Sequence, residues 1–180
     1  MPVWLSIAAA LVLVGAGLWW LLGHRADAMV TRDLPELGRI DVPERLEGRT
    51  PETSSGVSVF RFDRIAGGFA FMGSITPVRE RLVVVAWTGG TGGRAIAVEE
   101  ARQLVAERVE TPRWRLDGGI EQGTGTYVVN TQQRASRLTL LVVEDRSIVV
   151  AHRVWVEDSG PADSVDQVRR VAASFRPAGR

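Results

Sequence analysis

The sequence predicts an α+β fold with an N-terminal transmembrane helix, an extended arm, and then an antiparallel sheet flanked by two helices. Three observations predict it. An uncharged apolar run occupies residues 3–23, a proline-punctuated stretch occupies 26–56, and strand-like segments after residue 57 alternate with two amphipathic stripes. The expected division is a transmembrane anchor at 1–25, an extended proline-containing arm at 26–56, and an α+β sandwich domain at 57–180.

Residues Val3 to Gly23 carry no charge, and at 1.5 Å per residue 21 of them span roughly 30 Å, the thickness of the hydrocarbon layer. Trp4 stands near one end, Trp19 and Trp20 near the other, and Arg25 follows, an arrangement that suits interfacial anchoring. The competing reading is a cleaved signal peptide, with Ala26-Asp27-Ala28 as an A-x-A site. The absence of arginine before the run, its length, and the charges between run and site favour a retained anchor. Arg25, Arg32, Arg39, Arg45 and Arg49 all follow the run and none precedes it, which points the bulk of the chain to the cytoplasm. Translocation to the periplasm is the alternative, because long domains cross whatever their charge.

The stretch 26–56 holds Pro35, Pro43 and Pro51, and its four arginines against seven acids leave it at −3. Proline disfavours helix there. Yet Leu34, Leu37, Ile40, Val42 and Leu46 recur every two to four residues, which a flexible linker does not need. These five are expected to form a partner-binding arm. The competing reading packs them on the chain's own domain.

From Val57 onward the pattern is β-β-β-α-β-β-β-α. Val57–Asp63 alternates like a strand and Phe69–Ile75 reads as a second. Arg81–Trp87 is apolar on both faces and so needs cover on both. Val98, Ala101, Leu104, Val105 and Val109 mark a helical stripe. Thr126–Thr131, Leu138–Val143 and Ile148–Val156 are three further strands, joined closely enough to be antiparallel. Val165, Val168, Val171, Ala172 and Phe175 mark the last helix, with Asp163 or Ser164 as its cap and Pro177 as its stop.

This order, with the closing stretch Asp163–Pro177 and its Ala173-Ser174-Phe175-Arg176 ending, resembles the PsbP-like family over residues 57–177. The resemblance implies an antiparallel sheet between helices. It also implies a non-enzymatic role of the kind filled by extrinsic subunits and assembly factors of photosynthetic complexes.

Composition narrows the chemistry. The chain has 180 residues, 22 basic against 21 acidic, and no cysteine. A net charge of +1 argues against a nucleic-acid partner, and thiolate chemistry is excluded. All the basic residues are arginine. Gly90, Gly92 and Ala95 match G-x-G-x-x-A, but without a second parallel βα unit the run reads as a strand-to-helix connection rather than a nucleotide loop. Asp117–Gly125 reads as a glycine-rich loop too poor in oxygen ligands for calcium. The Glu144-Asp145 and Glu157-Asp158 pairs read as solvated turn residues. Arg113-Trp114-Arg115 reads either as a stacking or lipid-headgroup contact or as a strand edge. His152 shares a face with Ile148, Val150 and Val154 and reads as a packed core histidine, and His24 as an interfacial one. No catalytic residue, metal ligand or cofactor is assigned.

The expectation is therefore a non-catalytic, membrane-anchored accessory or scaffold subunit. It would stabilise an integral membrane complex, photosynthetic or respiratory, in contact with the bilayer. The alternative is a membrane-tethered domain that binds a small ligand or lipid.

Overall fold

A computed structural model describes residues 28–54, 56–66, 76–88, 90–129 and 131–178. The long strands come first in any account of the core. They are β5 (Val57–Ile65), β6 (Val78–Trp87), β7 (Val109–Asp117), β8 (Ile120–Val129), β9 (Gln132–Val143) and β10 (Ile148–Trp155). They form one antiparallel sheet in the order β5-β6-β10-β9-β8-β7. Two short strands, β3 (Glu47–Gly48) and β4 (Glu52–Ser54), pair with the outer edge of β5.

The centre of the sheet is β6 beside β10, and β10 is buried along its whole length. Alternation splits these strands between two cores. Val83, Val85 and Trp87 face one side, where Ala97, Ala101 and Val105 of α1 (Gly90–Val105) cover them. Leu82, Val84 and Ala86 face the other, against Val168, Val171 and Ala172 of α2 (Pro161–Ser174).

The second core has a further cover. A hairpin of β1 (Met29–Leu34) and β2 (Gly38–Pro43) lies beside α2, and β11 (Arg176–Pro177) adds to its edge. The Asp41 backbone N–H donates to Ser174 Oγ at 2.9 Å, and Ala178 N–H to the Leu37 carbonyl at 2.8 Å, so the end of the chain fastens the hairpin down.

Several expectations give way here. The α+β reading is replaced by a mostly antiparallel β fold, eleven strands with two helices among the described residues. The described part of the expected arm, residues 28–54 and 56, is not an extended arm. Leu34, Ile40, Val42 and Leu46 are buried in the second core and Leu37 packs against it, so these side chains are internal rather than partner-facing. The reason is physical: α2 alone is too narrow to cover that face, and the hairpin supplies the missing apolar surface.

No helix among the described residues is long and apolar enough to cross a membrane. The longer of the two, α1, has 16 residues, about 24 Å against the ~30 Å of a hydrocarbon layer. The expected span, with Trp4, Trp19, Trp20 and Arg25, lies outside the described residues, as do His24 and the strand expected at 69–75. The single-pass membrane arrangement with a cytoplasm-facing bulk is not carried forward, since no helix among the described residues supports it.

At element level, α1 begins at Gly90, so the glycine run forms its first turn rather than a connecting loop. The stretch 109–125 is the β7–β8 hairpin, turning at Gly118-Gly119, both with positive φ. Gly160 caps α2, its N–H donating to Asp163 Oδ2 at 2.8 Å, while Ser164 lies inside the helix.

Candidate functional site

Strand register places two polar rows across the face that α2 covers. One runs Arg113, Thr124, Arg137, Val154, Glu80, Arg64, and the other Arg115, Gln122, Thr139, His152, Leu82, Phe62. The first turns of α2 lie over the middle of this belt and lower Ser164 onto it.

A relay of hydrogen bonds results. Thr139 Oγ1 lies 2.8 Å from Ser164 Oγ, which lies 2.9 Å from His152 Nδ1, and His152 Nε2 lies 3.1 Å from Glu80 Oε1. All four residues are at most 2% exposed. With Glu80 ionised, Nε2 must donate to it. In the neutral ring Nδ1 then accepts from the Ser164 hydroxyl, which accepts from Thr139.

Glu80 is the electrostatic centre. Burial by itself would raise its carboxyl. Hydrogen bonds from His152 and Arg45 outweigh burial and bring it from 4.5 down to about 2. Arg45, which follows β2, forks onto both carboxylate oxygens at 2.9 and 2.7 Å. Arg64 Nε sits 3.3 Å away, and its other end reaches Asp158 at 3.2 Å. Arg79 also binds Asp158, at 2.6 and 3.0 Å. Asp158 is thus a half-buried ion-pair partner and not a solvated turn residue.

Beside the relay opens a cleft of about 300 Å³ between α2, β6 and β10. Arg45, Arg64, Glu80 and His152 line it from the sheet side; Asp163, Gln167 and Arg170 line it from α2. Gln167 is 4% exposed, and its side-chain NH₂ is buried without a hydrogen-bond partner. Buried donors are nearly always satisfied, so this NH₂ calls for an acceptor that the chain itself does not supply, a water or a ligand in the cleft. Across the belt a second, shallower groove of about 390 Å³ runs over β7, β8 and β9 and reaches Ser164.

The chemistry of the relay is hydroxyl, imidazole and carboxylate in series, the connectivity of a hydrolase triad. The accessibility differs. Ser164 Oγ points beneath α2, is 1% exposed, and is already engaged by both Thr139 and His152. It acts as a clasp that fixes α2 on the sheet.

The remaining sequence candidates distribute as follows. Arg113 and Arg115 face the α2 side from edge strand β7, while Trp114 turns to the α1 side, with Arg102 5.8 Å from its ring centre. Glu144 pairs with Arg94 at 2.5 Å. Among the described residues no cluster of histidine and carboxylate side chains suits a metal ion. The residues that sequence reasoning missed are Glu80, Ser164 and Gln167 as a group. The one available signal is Arg79-Glu80-Arg81, a charged triplet entering an otherwise apolar strand.

No family model matches this chain, and no curated protein matches it. The photosynthetic or respiratory setting drawn from the PsbP-like resemblance gains no support from either comparison and is set aside.

Proposed function

We propose that this domain is a non-catalytic binding module that takes a small polar ligand in the cleft between α2 and the centre of the sheet. The observation that carries the reading is the buried, unpartnered Gln167 side-chain NH₂ on a cleft lined mostly by charged side chains. The scaffold reading drew on the apolar side chains of the arm, together with the expected span and the family resemblance, and those side chains are inside the core. The cleft's polarity favours a hydrogen-bonding ligand over a lipid tail. Its lining carries Arg45, Arg64 and Arg170 beside Glu80, Asp158 and Asp163, most of them paired with one another, so the cleft presents both signs of charge and suits a zwitterionic or polyhydroxylated molecule.

The test is a thermal-shift screen with amino acids, sugars, sugar phosphates and dicarboxylates, followed by calorimetry on any compound that stabilises. At least one compound should raise Tm saturably in the wild type, as a ligand bound only by the native state must. The response should fall away in Gln167→Leu and weaken in Arg170→Ala. A screen in which nothing stabilises, or in which both variants respond as the wild type does, contradicts the proposal.

A further inference from the structure

On the opposite face of the sheet, at the C-terminal end of α1, a buried cation stands without a counter-ion. Arg153 of β10 is 1% exposed. Its Nη1 donates to the Val78 carbonyl at 3.1 Å, and the guanidinium lies 4.2 Å from the centre of the Tyr127 ring. Its Nε is buried with no partner, and among the described residues no carboxylate stands within ion-pair distance of it. The two nearby acids are committed elsewhere. Asp63 takes Arg81 at 2.8 and 3.1 Å, and Glu107 takes the same guanidinium. With Arg108, and with Arg49 whose Nε lies 3.6 Å from Asp63, the group holds four guanidiniums against two carboxylates.

Buried charges in proteins are paired, because the cost of leaving one unpaired is several kcal/mol. Burial pushes the Arg153 guanidinium down to about 10, with the neighbouring Arg81 adding to the fall, while Tyr127 and the more distant charges of Asp63 and Glu107 oppose it without overcoming it. The chain between residues 66 and 76 contains no Asp or Glu, so the adjoining sequence offers no carboxylate either. Beside Arg153 lies a cavity of about 110 Å³, bordered also by Arg81, Arg108, Glu107, Tyr127 and Thr76. That is room for a small tetrahedral or planar oxyanion, with hydroxyl donors and guanidiniums around it.

We propose that this cavity is a binding site for a small oxyanion, a phosphate or a carboxylate, which supplies the missing counter-charge to Arg153. The site is separate from the cleft under α2 and lies on the other side of the sheet.

The experiment measures Tm of the whole protein against inorganic phosphate and, separately, acetate, with chloride at matched ionic strength as reference. One of the two oxyanions should raise Tm saturably above chloride, and which one does so distinguishes the phosphate from the carboxylate source. The stabilisation should vanish in Arg153→Met. In Arg108→Gln, an exposed position that leaves folding intact if Arg153→Met does not fold, its midpoint should move about tenfold to higher concentration. Gln167→Leu should respond as the wild type does. Identical responses to chloride, phosphate and acetate overturn the proposal. So does an undiminished response in Arg108→Gln, or a response lost in Gln167→Leu, which would assign the anion to the cleft.

Discussion

Glu80 is where a single residue decides most. It is 0% exposed and holds Arg45, Arg64 and His152 at once. Replacing it by glutamine leaves the two guanidiniums and the imidazole N–H without their carboxylate, and we expect a loss of ~2–4 kcal/mol by urea denaturation, moderated because both arginines are partly exposed. Its carboxyl is depressed in the fold, to about 2 from 4.5. The stability it contributes is therefore present above pH 4.5 and disappears as pH falls from there toward 2. Glu80→Gln should flatten that part of the stability–pH curve, and an unchanged acid limb would show that Glu80 is not the group responsible. For Ser164 the clasp reading makes a different demand. Ser164→Ala should cost about 1–2 kcal/mol by stranding buried hydroxyl and imidazole partners. A fluorophosphonate probe should leave the wild-type protein unlabelled at Ser164. Labelling there would turn the clasp into a nucleophile. Little of this cluster was legible in the sequence. His152 reads correctly as a packed residue on an apolar face, but its partners come from β6, β9 and α2, and nothing local couples positions 72 residues apart.

Among the elements, the β1–β2 hairpin and the first turn of α1 carry the clearest tests. Ile40 and Leu46 are fully buried in the second core. Changing Leu37, Ile40 and Leu46 together to serine should remove on the order of 5 kcal/mol or more, comparable to the whole stability of a small domain. The expected readout is an unfolded or strongly destabilised isolated protein by circular dichroism; an unaltered melt would return these residues to the surface. In α1 the two adjacent glycines should diverge. A Cβ at Gly92 meets open space, so Gly92→Ala should stabilise by ~0.5–1 kcal/mol. A Cβ at Gly93 would strike the Thr88 carbonyl, so Gly93→Ala should lower Tm. Recurrent apolar residues at 34–46 showed in the sequence that this stretch buries something. What they are buried against depends on how much of the sheet face α2 leaves bare, which is a tertiary quantity. The β7–β8 hairpin was hidden for a related reason. Gly123 and Gly125 read as loop residues, yet they are flat positions under close neighbours: a Cβ at Gly125 would collide with Val109, and one at Gly123 would crowd Trp114.

At the scale of the whole molecule, a six-strand run of antiparallel neighbours is covered by α1 on one face and by α2 with the hairpin on the other. The two-sided apolar run at 81–87 foretold that double cover, since such a strand cannot be solvated on either face. It foretold nothing of the polar belt, because β6 turns polar only where Arg79-Glu80-Arg81 crosses beneath α2. Both buried charged centres, the Glu80 carboxylate with its arginines and Arg153 with Tyr127, stand on opposite faces of that same end of β6 and β10. We propose that the cleft under α2 receives a polar ligand at the Gln167 amide. The reporter is the pair of Gln167 side-chain NH₂ resonances, assigned by their loss in Gln167→Leu and followed through titration with the most strongly stabilising polar compound. They should shift saturably, with the same midpoint as the rise in Tm. Resonances that stay in place while that compound binds would contradict the account.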